Sequence, residues 1–259
     1  MRLPARVVAR AGRAVLGVAE QAGGITVLFA RILRRFFPPD IDYYEFKRNL
    51  YRMGVRSMPI VMLTAVFVGA IMVVQAGAYV KQFSAYAFVG WGAGFVILRE
   101  LGPILIALMF SGRVGANNTA ELGTMVVTEQ IDGLRALAID PISYLIVPRF
   151  LGMIVMLFVL TVCGNIVALV GAAAFGQVML GIEIRVFFSG VVDYLGPWDF
   201  YIGLIKSAVF GLIIGLSSCH FGLAVRGGAP GVGRAVNSSV VASAVGVFVA
   251  DYFLTFVLE

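Results

Sequence analysis

The sequence predicts an all-α integral membrane protein. It has an N-terminal amphipathic interfacial helix, five transmembrane helices and a short cytoplasmic helix between spans two and three. Three observations carry this. The 259 residues are 60% hydrophobic and 13% charged, whereas soluble domains are nearer half apolar and a quarter charged. Mean hydropathy is +0.96, an excess that one core cannot absorb because a soluble chain needs a polar skin. The apolar residues fall in five long runs. Together these exclude a soluble enzyme, a disordered hub and a disulfide scaffold.

Residues 1–48 read as a basic amphipathic interfacial segment, and 49–259 as the membrane domain. Arg2, Arg6, Arg10 and Arg13 share one helical face. Arg31, Arg34 and Arg35 alternate with Leu28, Phe29, Ile32 and Leu33, the pattern of a helix lying on a membrane. Glu20, Gln21 and Gly23-Gly24 interrupt the apolar run a signal peptide needs. Pro38-Pro39-Asp40 should end the helix.

The spans are expected at 57–80, 88–112, 150–181, 200–224 and 235–258, since about 20 apolar residues cross a bilayer. The third would be ~45 Å long at the helical rise, so it tilts or projects. Net charge is +6, and 11 of the 20 Lys and Arg precede residue 57. The positive-inside rule then puts the N-terminus in the cytoplasm and Glu259 on the opposite, periplasmic side. Beside this hydrophobicity, the basic excess points to an anionic membrane surface and not to nucleic acid. Cys163 and Cys219 lie in apolar runs, and His220 is the single histidine. Neither a disulfide nor a metal site is expected.

Small residues recur every four positions: Gly203, Ser207, Gly211, Gly215 and Cys219 in span four, and Gly164, Ala168, Ala172 and Gly176 in span three. Such stripes let helices approach closely in lipid, either inside the bundle or at a seam between two copies.

Charges inside hydrocarbon must face partners, cavities or water. Arg99, Glu100, Lys206 and Asp251 lie in the apolar runs, each ~12 Å below the outer surface by helical rise. Lys206 and Asp251 suit an interhelical ion pair. Arg99 and Glu100 are adjacent, point about 100° apart and make a poor pair with each other. A structural network and a polar pocket for an anionic headgroup both remain open readings.

Residues 113–149 are too patterned for a linker. Thr119 with Glu121, and Thr128 with Glu129 and Asp132, resemble helix starts. Met125, Ile131, Leu134 and Leu137 form an apolar stripe, and Asp140-Pro141 closes it. A helix at about 119–139 is expected. Its acidic residues Glu129, Asp132 and Asp140 would be repelled by an anionic leaflet, which favours protein docking.

The run LRELGPILIALMFSGRVGANNTAELGTMVVTEQIDGLRALAIDP, Leu98 to Pro141, resembles the signature of the MlaE/YrbE permease family. IKSAVFG around Lys206, PGVGRAVNSSVV before span five, and Asp251 extend the match over roughly 45–259. The resemblance implies the permease subunit of an ABC transporter. Such a subunit moves phospholipid or a related lipid between the inner membrane and an MCE-protein assembly, contributing to outer-membrane lipid homeostasis.

Implied partners are a second copy forming a homodimer, two ABC ATPase subunits, an MCE-domain periplasmic protein and a small STAS-type subunit on the ATPase. The 119–139 helix becomes a coupling helix, with Glu121, Glu129, Asp132, Arg135 and Asp140 as ATPase-coupling candidates. Arg99, Glu100, Val66, Val73 and Val74 become lipid-pocket candidates, beside the Lys206–Asp251 pair. No catalytic or metal residues and no cofactor are expected in this chain; ATP and magnesium belong to the partner ATPase. In keeping with this, Gly228-Ala-Pro-Gly-Val-Gly-Arg-Ala carries Arg and Ala where a phosphate-binding loop needs Lys and a hydroxyl. The alternatives are an ion-gradient-driven secondary transporter and an intramembrane lipid-modifying enzyme. The first has Glu100 and Asp251 in its favour but no visible repeats. The second lacks a nucleophile–base constellation.

Overall fold

The computed structural model describes residues 5–36, 43–83 and 87–258, with side chains described at 12, 16–17, 19–35, 43–77 and 88–258. Every regular element among them is helical. In chain order these are α1 (Ala5–Phe36), α2 (Tyr43–Leu50), α3 (Met58–Phe83), α4 (Ala87–Val96), α5 (Gly102–Phe110), α6 (Ala116–Val127), α7 (Gln130–Ala136), α8 (Val147–Leu180), α9 (Ile184–Tyr194), α10 (Pro197–Leu223) and α11 (Gly228–Leu258). Five continuous stretches among the described residues are long and apolar enough to cross a membrane: Tyr43–Gly77, Phe88–Val127, Ile142–Leu180, Pro197–Leu223 and Gly228–Leu258.

The first three are longer than hydropathy alone suggested, because polar residues continue the helices through π turns at Tyr51–Val55, Ile97–Leu101, Ser111–Gly115 and Ile142–Ile146. Prolines account for three of the four. Pro59, Pro103 and Pro148 have no N–H to give the carbonyls of Val55, Arg99 and Tyr144 four residues earlier. Each of those carbonyls lies inside a π turn, where the helix widens and continues instead of breaking.

α10 is the central helix: 72% of its most apolar window is buried, against 11% for peripheral α11. α3 runs parallel to α8, with Val66, Gly69 and Gly77 meeting Gly171, Ala168 and Leu180. Gly69 is pressed so closely on the backbone of Ala168 and Ala172 that a Cβ there has no room. Both small-residue stripes are used inside the chain. Gly211 and Gly215 seat α10 on Ile154 and Phe150 of α8, and Gly203 seats it on the Leu98 carbonyl. Gly164 meets Ile106, and Gly176 meets Val73.

α1 is one continuous helix of 32 residues. Its Leu28 and Ile32 are buried with Leu122, Ile146, Phe150 and Cys219. Gln21 lies 2.8 Å from His220, and Arg35 pairs with Asp140 at 3.1 Å. The Arg2, Arg6, Arg10 and Arg13 side chains and the Pro38-Pro39-Asp40 break lie outside the described residues.

Two expectations change. No helix starts at Thr119: it is fully buried mid-helix, its hydroxyl 2.9 Å from both the Gly115 carbonyl and the Ser239 hydroxyl. The expected 119–139 helix is instead the end of α6 plus the separate α7. Glu129 at φ 58 divides them, and Ala138 at φ 59 ends α7. The apolar stripe was real but said nothing of a left-handed residue within it. α9 was not anticipated. It packs on α4, with buried Phe187 against Gly90 and Tyr194 stacked on Phe88 at 5.6 Å.

Gly69→Ala is expected to destabilise the folded chain by about 1–3 kcal/mol, because backbone must move to admit the methyl. Gly92→Ala, with open space around it, should cost nothing. Equilibrium unfolding in mixed micelles distinguishes the two.

Candidate functional site

The charged residues of the spans meet at the α9 end of the bundle. The Ile97–Leu101 π turn presents Arg99 and Glu100 in different directions. Gly203 lets α10 press against this turn at the Leu98 carbonyl, and Lys206, one helical turn further on, reaches Glu100. Lys206 Nζ is 2.6 Å from Glu100 Oε2, 3.1 Å from Asp251 Oδ1 and 2.7 Å from Thr255 Oγ1. The lysine is 0% exposed, so its charge depends on these oxygens. Thr255 also donates to the Asp251 carbonyl at 2.9 Å, which orients its hydroxyl oxygen toward the ammonium. Two carboxylates and one hydroxyl thus surround a single cation.

Arg99 turns the other way. Its guanidinium lies 3.5 Å from Asp199 Oδ1 and 4.8 Å over the Phe95 ring. Its Nε is buried without an acceptor, so Arg99 retains unused donor capacity at a mostly buried position. Asp199 also serves its own helix, where its Oδ2 accepts the Gly196 N–H at 3.0 Å and closes the first turn of α10. With Asp199 included, the cluster holds two cations and three carboxylates.

Asp199 and Thr255 were not singled out from the sequence. Asp199 lies in the first turn of α10 and caps it, and a capping residue gives no hint of a distant cation. Thr255 had one available signal, its position four residues after Asp251 on the same helical face.

The valine candidates separate. Val73 is fully buried against α8, Val66 lies along Gly171, and Val74 faces outward at 55% exposed. Within one chain they do not gather around Arg99.

The coupling candidates lie at the other end and also divide. Glu121 turns inward, 2.6 Å from Arg52 and 3.4 Å from the buried Arg149, and accepts from Asn117 at 2.8 Å. Asp140 accepts from the Ile142 N–H at 3.2 Å and the Ser143 hydroxyl at 3.1 Å, and holds Arg35. Both brace the fold. Glu129, Asp132 and Arg135 are exposed on the tip formed by α7, Asp132 and Arg135 pairing at 2.8 Å. Val127, Leu137 and Ile139 are exposed beside them, a mixed apolar and charged surface. No group of His, Cys, Asp and Glu suited to a metal occurs among the described residues.

Residues 46–257 match the family described as permease MlaE. A probable ABC transporter permease protein of Rickettsia felis is 34% identical over 94% of this chain and 94% of its own length. One of Synechocystis is 37% identical over 80% of this chain and 78% of its own. Protein trigalactosyldiacylglycerol 1, chloroplastic, of Arabidopsis thaliana is 35% identical over 89% of this chain and 66% of its own. A five-span helical chain with these relatives is a multi-pass membrane protein of the transporter-permease class. It belongs to the MlaE permease family of ABC transporters, and a permease of that kind works with an ATPase partner.

Lys206→Met leaves Glu100 and Asp251 facing each other without a cation, and should destabilise the chain by about 3–5 kcal/mol. Adding Glu100→Gln and Asp251→Asn should recover much of that loss. Thermal unfolding of both variants in one detergent provides the check; equal losses would mean that the cluster does not depend on its lysine.

Proposed function

We propose that this chain is the permease subunit of an ABC transporter that carries phospholipid or a related lipid between the inner membrane and an MCE-protein assembly, contributing to outer-membrane lipid homeostasis. The observation that carries the reading is Arg99. It is a mostly buried guanidinium, in a π turn within an apolar span, with its Nε unpaired. A guanidinium of this kind suits the phosphate of a lipid headgroup. The exposed apolar face of α3, including Leu63, Phe67, Ile71 and Val74, suits acyl chains or a second copy. The Arabidopsis relative carries the name of a galactosylated diacylglycerol, which supports a lipid substrate.

In this reading two copies form a homodimer, with an ATPase and its small STAS-type subunit on the cytoplasmic side of each. The tip formed by α7 docks into the ATPase through Glu129, Asp132 and Arg135 and the exposed apolar residues beside them. ATP and magnesium act in the partner. The basic N-terminal segment faces the cytoplasm and the Lys206 cluster lies toward the periplasm, by the positive-inside rule. An MCE-domain protein then receives or delivers lipid at the α9 end. ATP-driven motion of the tip must change how well the site holds lipid, since only differential affinity moves a conformational equilibrium.

The test is ATP-dependent movement of a fluorescent phospholipid in liposomes containing the chain and its co-purified ATPase. Arg99→Gln should cut movement at least about tenfold through the lost charge-assisted contacts, with ATPase co-purification unchanged. Glu129→Lys should weaken ATPase association, an electrostatic rim effect read as a faster or more salt-sensitive dissociation. Movement driven by an ion gradient without ATP would replace this reading with a secondary transporter. Lipid chemistry by the chain alone would replace it with an enzyme.

A further inference from the structure

A second cationic site lies at the end of the bundle away from Lys206. A cavity of about 280 Å³ opens between the start of span one and the end of span two, lined by Arg52, Arg56, Arg113, Asn117 and Glu121 among others. Three guanidiniums line it, and the buried Arg149 stands behind it at 3.4 Å from Glu121. Among the described residues Glu121 is the one lining carboxylate, and it is engaged by Arg52, Arg149 and Asn117. Glu45 of the neighbouring α2 pairs with Arg48 at 2.7 Å.

Two of the three lining cations have no carboxylate. Arg113 donates to the Arg56 main-chain carbonyl at 2.7 Å and meets no acidic side chain among the described residues. That bond uses a backbone acceptor and fixes the guanidinium at the cavity without neutralising it. The Arg56 side chain has no hydrogen-bond or ion-pair partner among the described residues. A folded chain gains nothing by gathering cations without a counter-ion. The position is also telling. Arg113 is 14 residues after Arg99, or ~21 Å along the helix, so the cavity sits near the opposite edge of a hydrocarbon core of about 30 Å. That is the level of lipid phosphates.

We infer that the Arg52–Arg56–Arg113 cavity binds a phosphate group, either that of a phospholipid headgroup or free phosphate, with Arg56 and Arg113 as its principal donors. Planar guanidiniums grip phosphate through paired hydrogen bonds, and Asn117 and Glu121 hold Arg52 at the rim. The proposal rests on the lipid-permease reading only for the choice of a lipid as one source; the cavity and its unpaired cations stand without it.

The experiment uses the full chain in a phosphate-free maltoside detergent. A photoreactive phosphatidylglycerol is cross-linked and the labelled peptides are mapped by mass spectrometry. Inorganic phosphate is titrated calorimetrically in parallel. Labelling is expected on peptides spanning 49–57 and 113–121, and should fall at least about tenfold in Arg56→Gln/Arg113→Gln through loss of two charge-assisted donors. Competition by unlabelled phosphatidylglycerol but not by diacylglycerol assigns a lipid headgroup. Phosphate binding that the double variant loses, without lipid label at this cavity, assigns free phosphate. Arg56→Lys/Arg113→Lys should keep part of the affinity and controls for folding. The proposal is overturned if neither probe binds here, if the double variant binds as well as wild type, or if diacylglycerol competes equally. Labels near Arg99 are scored separately, so failure of the lipid reading at the other end is distinguishable from failure here.

Discussion

One buried ammonium organises the membrane core of this protein. Lys206 sits on the most enclosed helix, fully out of contact with solvent, and is held by oxygens from the second and fifth spans. Removing a charge from water costs several kcal/mol unless partners surround it. The helices that carry Glu100, Asp251 and Thr255 must therefore converge on it. This fixes the rotation of α10 and α11, and with them the approach of the second span. α11 shows the effect most plainly: little of its apolar surface is buried, yet its carboxylate and hydroxyl tie it to the centre.

The convergence depends on backbone devices as much as on charge. Pro103 leaves the Arg99 carbonyl without its helical donor, and the resulting π turn separates two adjacent charges into two environments. Arg99 goes to Asp199 and Glu100 goes to Lys206. Gly203 supplies the close approach that this requires. The same devices recur at the other end, where Arg52 and Arg113 also lie in π turns. Arg52, Arg99, Glu100 and Arg113 all lie where the helices are irregular, an arrangement that suits polar groups inside an apolar bundle.

The two ends present different chemistry. At the α9 end, opposite charges balance closely around the buried Lys206. At the α7 end, Arg56 and Arg113, with no carboxylate partner among the described residues, line a cavity, and the tip formed by α7 carries exposed charged and apolar residues. The proposed subunit, which meets an ATPase on one side and lipid within the membrane, needs such a division of surfaces. Family membership carries the transporter class; the positions of these groups carry the proposals about substrate and partner.

The membrane class, the five spans and the unusual charges follow from the residues alone, because hydropathy and the cost of charge in lipid are properties of local composition. Arg99, Glu100, Lys206 and Asp251 were legible for that reason. Which of these groups meet is a matter of how the helices pack. Glu100 joined Lys206 and Asp251, and Asp199, hidden in a helix cap, took Arg99. Glu121 and Asp140, expected at the ATPase-coupling surface, also hold Arg52 and Arg35 within the chain. Both stripes of small residues proved internal, since spacing reveals a face but not what covers it. The physical reason is common to all: an ion pair or a close helix contact depends on the rotation and offset of two separate helices. Those are set by packing across the bundle, which no local stretch of sequence encodes.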